Sequence, residues 1–336
     1  LKKKIITQIF ILVDINAKKY CLPDILNTNP ILKSSEIIEL PSGESAKSIA
    51  VFEKICLELI SKNINRNSLI INIGGGAVLD CGGFLSGVLK RGLRFINIPT
   101  TLMAQIDASI GGKVGLNVKD YKNQIGLFIN PELILIDPSY LDSLSNYDFL
   151  SAQAEVFKYA LIYSKSFWNE IINIDFDKKI NLKSIITKCV QIKTEIVDAD
   201  YYDWDERRKL NFGHSVSHAI ESLFFKNKQS LSHGHALSLG LICESYISYK
   251  KYHFSKHQLD GVIQKILTVF EPIDLDRKYD ALILKYIKAD KKNSKGIYNF
   301  TLIKEIGNSI VNCSVSDQEI LSSLDFYRKN AKLNIK

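Results

Sequence analysis

No stretch of 18 or more apolar residues occurs in the sequence, so no transmembrane helix and no membrane partner are expected. The most apolar region, Leu69 to Leu89, is broken by Asn72, Asp80 and several glycines. The six cysteines, Cys21, Cys56, Cys81, Cys189, Cys243 and Cys313, form no C-x-x-C pair and suggest no disulfide framework. Free thiols in a reducing cytoplasm are expected. Arginine is scarce: of the 44 cationic residues, 37 are lysine and 7 arginine. The lysines make no basic stripe and no patch interleaved with aromatics. The net charge of +8 therefore reads as a solvated surface with some pull on anionic substrates, and nucleic acid is not an expected partner. No internal repeat or low-complexity tract is visible.

What remains is the composition of a folded, two-domain chain. Apolar residues make up 46% and charged residues 24% of 336, enough to bury a core and too apolar for disorder. Lys2, Lys3 and Lys4 before Ile5 to Val13 resemble a short signal peptide. Thr7 and Gln8 interrupt that run, Asp14 ends it, and no small-residue cleavage site follows, so a β-strand is the better reading. The chain begins at Leu1 rather than Met, so a preceding piece is expected.

The first part alternates strand and helix signals. Ile9 to Asp14, Glu36 to Leu40, Ser68 to Ile73, Phe95 to Ile98 and Leu133 to Asp137 read as strands. Helical periodicity falls at Glu44 to Ser61 and from Gly74-Gly75-Gly76 to about Leu89. This pattern predicts an α/β domain with a mostly parallel sheet over residues 1–145. From 146 to 336 strand signals nearly vanish. Helical patterns run from Phe149 to about Phe270, with breaks near Ser164, around Asp205 and at Lys226 to Ser232. Ile297 to Ile303 alternates as a hairpin strand would.

Several groups could carry chemistry. The triple glycine follows a strand and opens a helix, where it either lets backbone approach a phosphate or makes a tight turn. Asp14, at the end of the first strand, is either a ribose acceptor or a turn acid. Ile110-Gly111-Gly112-Lys113 with Lys122-Asn123 puts ammonium and amide groups on flexible backbone, which suits an anion or an ordinary surface loop. Four of the six histidines lie in Gly213-His214-Ser215-Val216-Ser217-His218 and His233-Gly234-His235. His214 and His218 share a helical face at i, i+4. Imidazole and carboxylate suit zinc, and Glu155 with Lys158 could supply the carboxylate and a neighbouring cation. Arg207 is expected on the same helical face as Asn211 and His214, where its guanidinium would bind carboxylate or phosphate or form a surface salt bridge.

Taken in order, these segments resemble 3-dehydroquinate synthase. The motifs are Gly74-Gly75-Gly76 to Asp80, Arg91-Gly92, Pro99-Thr100-Thr101, Asp107, Gly111-Gly112-Lys113, Lys122-Asn123, Glu155-Val156-Phe157-Lys158-Tyr159, Asn211-x-Gly213-His214-x-x-x-His218, His233-Gly234 and Asp290-Lys291-Lys292. The resemblance runs from about Asp14 to Gly307. It implies a Rossmann-like NAD-binding domain followed by a mostly α-helical metal-binding domain. It further implies a zinc or cobalt ion on Glu155, His214 and His233. Substrate-binding and catalytic residues would be Lys113, Asn123, Lys158, Lys193, Arg207, Asn211, His218, Asp107, and Lys291 or Lys292. Arg91 would come from the neighbouring subunit of a homodimer. NAD contacts would be Asp14, Glu44, Lys47, Gly75, Gly76, Asp80, Thr100, Thr101, Lys122 and Ser143.

The implied reaction turns a sugar phosphate, 3-deoxy-D-arabino-heptulosonate 7-phosphate, into 3-dehydroquinate and phosphate in the shikimate pathway. It proceeds by transient oxidation with NAD, phosphate elimination, re-reduction and intramolecular aldol closure. The chain departs from the family at His235, where glutamate is usual, and at Leu79, Ser217 and Lys209. Rival expectations are a cyclase of the 2-deoxy-scyllo-inosose synthase type, a polyol dehydrogenase, and a non-catalytic binding protein. The set Arg207, Asn211 and His218 favours a carboxylated substrate over the first.

Overall fold

In the computed structural model the described residues are 5–119, 121–174, 182–227, 229–252, 254–289 and 298–334. Lys291 and Lys292, with Asp290 and Ile297, lie outside them, as do Lys2 to Lys4. The chain divides into two compact units, Leu1–Phe149 with Leu182–Thr194, and Leu150–Asn181 with Glu195–Lys336.

The first unit runs β1 (Ile9–Asp14), α1 (Ile15–Tyr20), α2 (Leu22–Thr28), β2 (Glu36–Leu40), α3 (Ile49–Ser61), β3 (Leu69–Gly74), α4 (Gly76–Val88), β4 (Arg94–Pro99), β5 (Lys113–Val118), β6 (Tyr121–Phe128) and β7 (Leu133–Ile134). Five strands form one parallel sheet in the order β2-β1-β3-β4-β7. Alternate residues of β1 serve opposite faces. Phe10 and Leu12 join Ile55, Leu59, Phe84 and Leu85 of α3 and α4. Ile11 and Val13 join Ala17, Leu22 and Ile25 of α1 and α2. Burial on both faces is why the strands read as unbroken apolar runs. One polar pair interrupts this interior: Asn72 of β3 stands opposite Asn97 of β4 and donates to it at 2.9 Å, both side chains buried.

Two local expectations change. The segment around Lys113 and Asn123 is an antiparallel hairpin of β5 and β6, not a loop. Its alternation (Val114, Leu116, Ile125, Leu127) is diluted by exposed polar residues, which hid the period. The strand expected over Leu133 to Asp137 pairs only at Leu133–Ile134, because Pro131 and Pro138 close in on it.

The remaining elements are α5 (Asn146–Tyr163), α6 (Lys165–Ile171), α7 (Leu182–Ala199), α8 (His214–Lys226), α9 (His233–Lys251), α10 (Lys256–Val269), α11 (Asp280–Ala289), the hairpin β8 (Tyr298–Glu305) and β9 (Asn308–Val315), and α12 (Asp317–Asn334). Leu182–Thr194 of α7 is grouped with the sheet unit. In the second unit Ser164, Ser232 and Ser255 cap the starts of α6, α9 and α10. Among the described residues no helix is long and apolar enough to cross a membrane.

Candidate metal centre and anion-binding residues

Three helices of the second unit meet at Glu155, His214 and His233. His214 opens α8, and the preceding Gly213 sits at φ +83, a left-handed turn that a side chain would strain. Glycine has no side chain with which to cap the helix it precedes. Glu244 of α9 does so instead, accepting from Gly213 N at 2.7 Å and Val216 N at 3.2 Å. A buried carboxylate at a helix N-terminus satisfies orphan N–H groups and faces the positive end of the dipole. His233 opens α9. Gly234 N donates to Ser151 Oγ at 2.9 Å, and a Cβ at Gly234 would lie 2.0 Å from the Ser151 carbonyl oxygen. Only glycine lets the start of α9 press onto α5, which brings His233 to Glu155.

The donor atoms of Glu155, His214 and His233 all lie within 4.8 Å of one another. Glu155 Oε1 is 3.2 Å from His214 Nε2 and 3.1 Å from His233 Nε2. Each ring is held by its other nitrogen: His214 Nδ1 faces Phe212 O at 3.2 Å, and His233 Nδ1 faces Glu221 Oε1 at 2.6 Å. Those acceptors place the ring protons on Nδ1, so both Nε2 atoms turn lone pairs toward a carboxylate oxygen. Such a meeting is favourable only around a shared proton or a cation. Burial alone would raise the Glu155 carboxyl, but the Lys158 ammonium paired with it and the two histidines hold it well below the usual carboxylate range. Burial pushes His214 down to about 4. Burial also opposes charge on His233, yet Glu155 and Glu221 raise it to about 10. The carboxylates demand positive charge at this point. One carboxylate and two oriented imidazoles fit a divalent ion of the zinc type.

The other expected residues of this unit lie on segments next to the cluster in sequence. Lys158 is buried on Glu155. His218 is exposed on α8, its ring 5.3 Å from that of His214. Arg207 and Asn211 do not share a helix with His214. They lie on a separate 3-10 turn, Glu206–Asn211, and Gly213 reverses the backbone before α8 begins. The expected common face is therefore corrected: sequence spacing does not carry across a left-handed residue. Arg207 is 2% exposed and donates from Nη1 to Tyr201 O at 2.6 Å. The Asp200 carboxylate accepts from the backbone N of Trp204, Asp205 and Arg207, which fixes this turn.

The first unit holds the other group. Gly75 and Gly76 form the open start of α4, and Thr100 N donates to Gly74 O at 3.0 Å. Thr101 Oγ1 accepts from Ala104 N at 3.2 Å. Asp14 caps α1 through Asn16 N and Ala17 N. Lys47, 3% exposed, donates to Asp80 Oδ2 at 2.6 Å and to Asn123 Oδ1. Lys193 pairs with Asp107 at 2.6 Å, and Asp107 sits in a π-turn, Ala104–Ala108. Glu44 accepts from Asn117 at 2.7 Å. Lys113 and Lys122 are exposed on the hairpin. Ser143 donates to Tyr140 O at 3.1 Å. Arg91 is exposed and left-handed at φ +64.

Sequence reasoning missed Glu221 and Glu244. Glu221 had a signal, since it lies seven residues after His214 on the same helical face. Glu244 had none, because its role comes from α9 packing against α8. At the departure His235, Nδ1 lies 2.7 Å from the α9 cap Ser232 Oγ, and the ring meets Phe270 edge-on at 5.3 Å. It belongs to the start of the helix rather than to the metal cluster.

The sequence matches two family models, 3-dehydroquinate synthase N-terminal over residues 37–151 and 3-dehydroquinate synthase C-terminal over 152–293. A 3-dehydroquinate synthase of Parabacteroides distasonis is 38% identical over 326 residues, covering 96% of this chain and 92% of that protein. Two solved structures share the fold. One is 2-epi-5-epi-valiolone synthase of Streptomyces hygroscopicus with NAD+ and Zn2+ bound (TM-score 0.83, 22% identity, 96% of this chain and 91% of that one). The other is 2-deoxy-scyllo-inosose synthase with carbaglucose-6-phosphate, NAD+ and Co2+ (TM-score 0.81, 20% identity, 96% and 90%).

Proposed function

The chain belongs to the 3-dehydroquinate synthase family, and from that premise we propose that it converts 3-deoxy-D-arabino-heptulosonate 7-phosphate to 3-dehydroquinate and phosphate. The observation that carries the reading is the convergence of Glu155 Oε1 with the Nε2 atoms of His214 and His233, each ring oriented from behind. The enzyme is then a cytoplasmic, metal- and NAD-dependent carbon–oxygen lyase.

Bound on Glu155, His214 and His233, a zinc or cobalt ion would supply Lewis acidity to substrate hydroxyls. Bound along Asp14, Glu44, Lys47, Gly75, Gly76, Asp80, Thr100, Thr101, Lys122 and Ser143, NAD+ would supply a reversible hydride acceptor at C5. The carbonyl that this chemistry would create at C5 would make the C6 proton acidic and phosphate elimination feasible, ahead of aldol closure of the ring. The side chains position one anion through all of this. Arg207, Asn211, His218, Lys158, Lys113, Asn123 and Lys193 hold its carboxylate and phosphate, with Lys291 or Lys292 as a further cation. Asp107 orients Lys193 through their ion pair. Glu221 holds His233 in the tautomer that leaves Nε2 available. The exposed Arg91 serves the neighbouring subunit of a homodimer.

The test is phosphate release from the heptulosonate phosphate with NAD+ and zinc, followed beside absorbance at 340 nm. Phosphate should appear with catalytic NAD+ and no NADH build-up. Stoichiometric NADH would identify a dehydrogenase instead, and release from a substrate lacking the carboxylate at the same rate would identify a different cyclase.

A further inference from the structure

We infer that Asn117 is a positioning residue that ties the nucleotide-binding side of the sheet unit to the substrate-binding Asn123, each end of its amide serving one of them. The inference rests on the roles proposed above for Glu44, Lys47 and Asn123.

Asn117 lies at a bulge of β5, between Leu116 and Val118, where the β5–β6 register shifts. Freed from regular pairing, it bridges instead to Ser48, the residue after Lys47. Its Nδ2 donates to Glu44 Oε2 at 2.7 Å, and its Oδ1 accepts from Asn123 N at 2.8 Å. Asn123 is left-handed at φ +53, a conformation that needs support in a residue with a side chain. Its own Oδ1 accepts from Lys47, which also pairs with Asp80. Glu44 and Lys47 belong to one short turn, Gly43–Lys47. The contacts therefore close a ring, Glu44 to Asn117 to Asn123 to Lys47, and back along the turn to Glu44. A carboxamide is required at 117 because this position must donate to a carboxylate and accept from an N–H at once.

The two ends of the amide can be separated by substitution. Asn117→Asp keeps an acceptor for Asn123 N but sets a negative charge against Glu44. Asn117→Ala removes both bonds. In the full-length, zinc-loaded chain, NAD+ affinity is measured by calorimetry, and substrate KM and kcat by phosphate release. Asn117→Ala should raise substrate KM about tenfold and weaken NAD+. Asn117→Asp should leave substrate KM within about threefold while weakening NAD+ about tenfold. In a Glu44→Gln background the Asn117→Asp penalty on NAD+ should vanish, because the introduced carboxamide can donate to the new carboxylate. If that penalty is the same in both backgrounds, or if Ala and Asp shift substrate KM equally, the inference is wrong. Should Asn117→Ala fail to fold, the cycle of Glu44→Gln and Asn117→Asp decides alone. A wild-type chain that binds no NAD+ overturns the proposed function with the inference. One that binds and turns over but shows a flat cycle overturns only the inference.

Discussion

The helical unit and the sheet unit hold their polar groups in different ways. In the helical unit the two imidazoles that face Glu155 are buried or half-buried and gripped from behind, His214 by a backbone carbonyl and His233 by Glu221, while Glu244 fixes the start of α8. In the sheet unit Glu44 and Asn123 are open to water, and their order comes from the Asn117 amide and from the ammonium of Lys47, which is itself buried on Asp80. A hydrogen bond to a buried charge carries more free energy than one facing solvent. Bracing in the helical unit should therefore fail more abruptly than bracing in the sheet unit.

The largest effect is expected from His214→Ala, which should lose both bound metal and activity. Elemental analysis checks it, and full occupancy in the variant would remove His214 from the ligand set. Glu244→Ala comes next. It leaves the N–H groups of Gly213 and Val216, at the start of α8, without this acceptor and should cost about 3 kcal/mol in urea unfolding. A loss no greater than that of an exposed surface glutamate would mean the cap is dispensable. Glu221→Ala should weaken metal binding about 10- to 100-fold in competition with a chelator, with the fold intact. Unchanged metal affinity would contradict the role given to that carboxylate. For Arg207→Lys, kcat/KM should drop about tenfold with metal content unchanged, since the planar fork is lost and the charge kept. An equal loss on an analogue without the carboxylate would show that Arg207 does not read that group.

The smallest effect belongs to the sheet unit and depends on pH. Burial raises the Asp80 carboxyl to about 6, against the opposing pull of Lys47. Its folded pKa thus exceeds the unfolded value near 3.9, so the ionised group weakens the fold above pH 6 and the penalty is relieved as pH falls toward 4. Between pH 7.5 and 5 the stability of wild type relative to Asp80→Asn should move in favour of wild type, on the order of 1 kcal/mol. A constant difference across that range would show that Asp80 titrates normally.

Much of the centre was legible because its signals are local. Glu155 and Lys158 stand at i, i+3 on one helix, and His214 and His218 at i, i+4 on another. The strands of the sheet were legible because burial on both faces makes their apolar runs continuous. What escaped depends on contacts between segments distant in sequence. Glu244 acts at Gly213 across 31 positions. The face shared by Arg207 and His214 was a reasonable extrapolation of helical spacing, and one left-handed glycine cancelled it. The β5–β6 hairpin escaped because its exposed side carries lysine and asparagine that do not mark a core-facing strand.

The Asn72–Asn97 pair inside the sheet bears on how the chain reaches its fold. Parallel strands are joined through distant contacts and find one another slowly. Sliding β4 along β3 by two residues would keep every apolar side chain on its own face, so burial alone does not reject that mistake. It would separate the two amides inside a dry layer, at about 1–3 kcal/mol for each unpaired group. The pair thus discriminates between alignments that hydrophobicity treats as equal, and it proofreads the assembly of the five-stranded sheet.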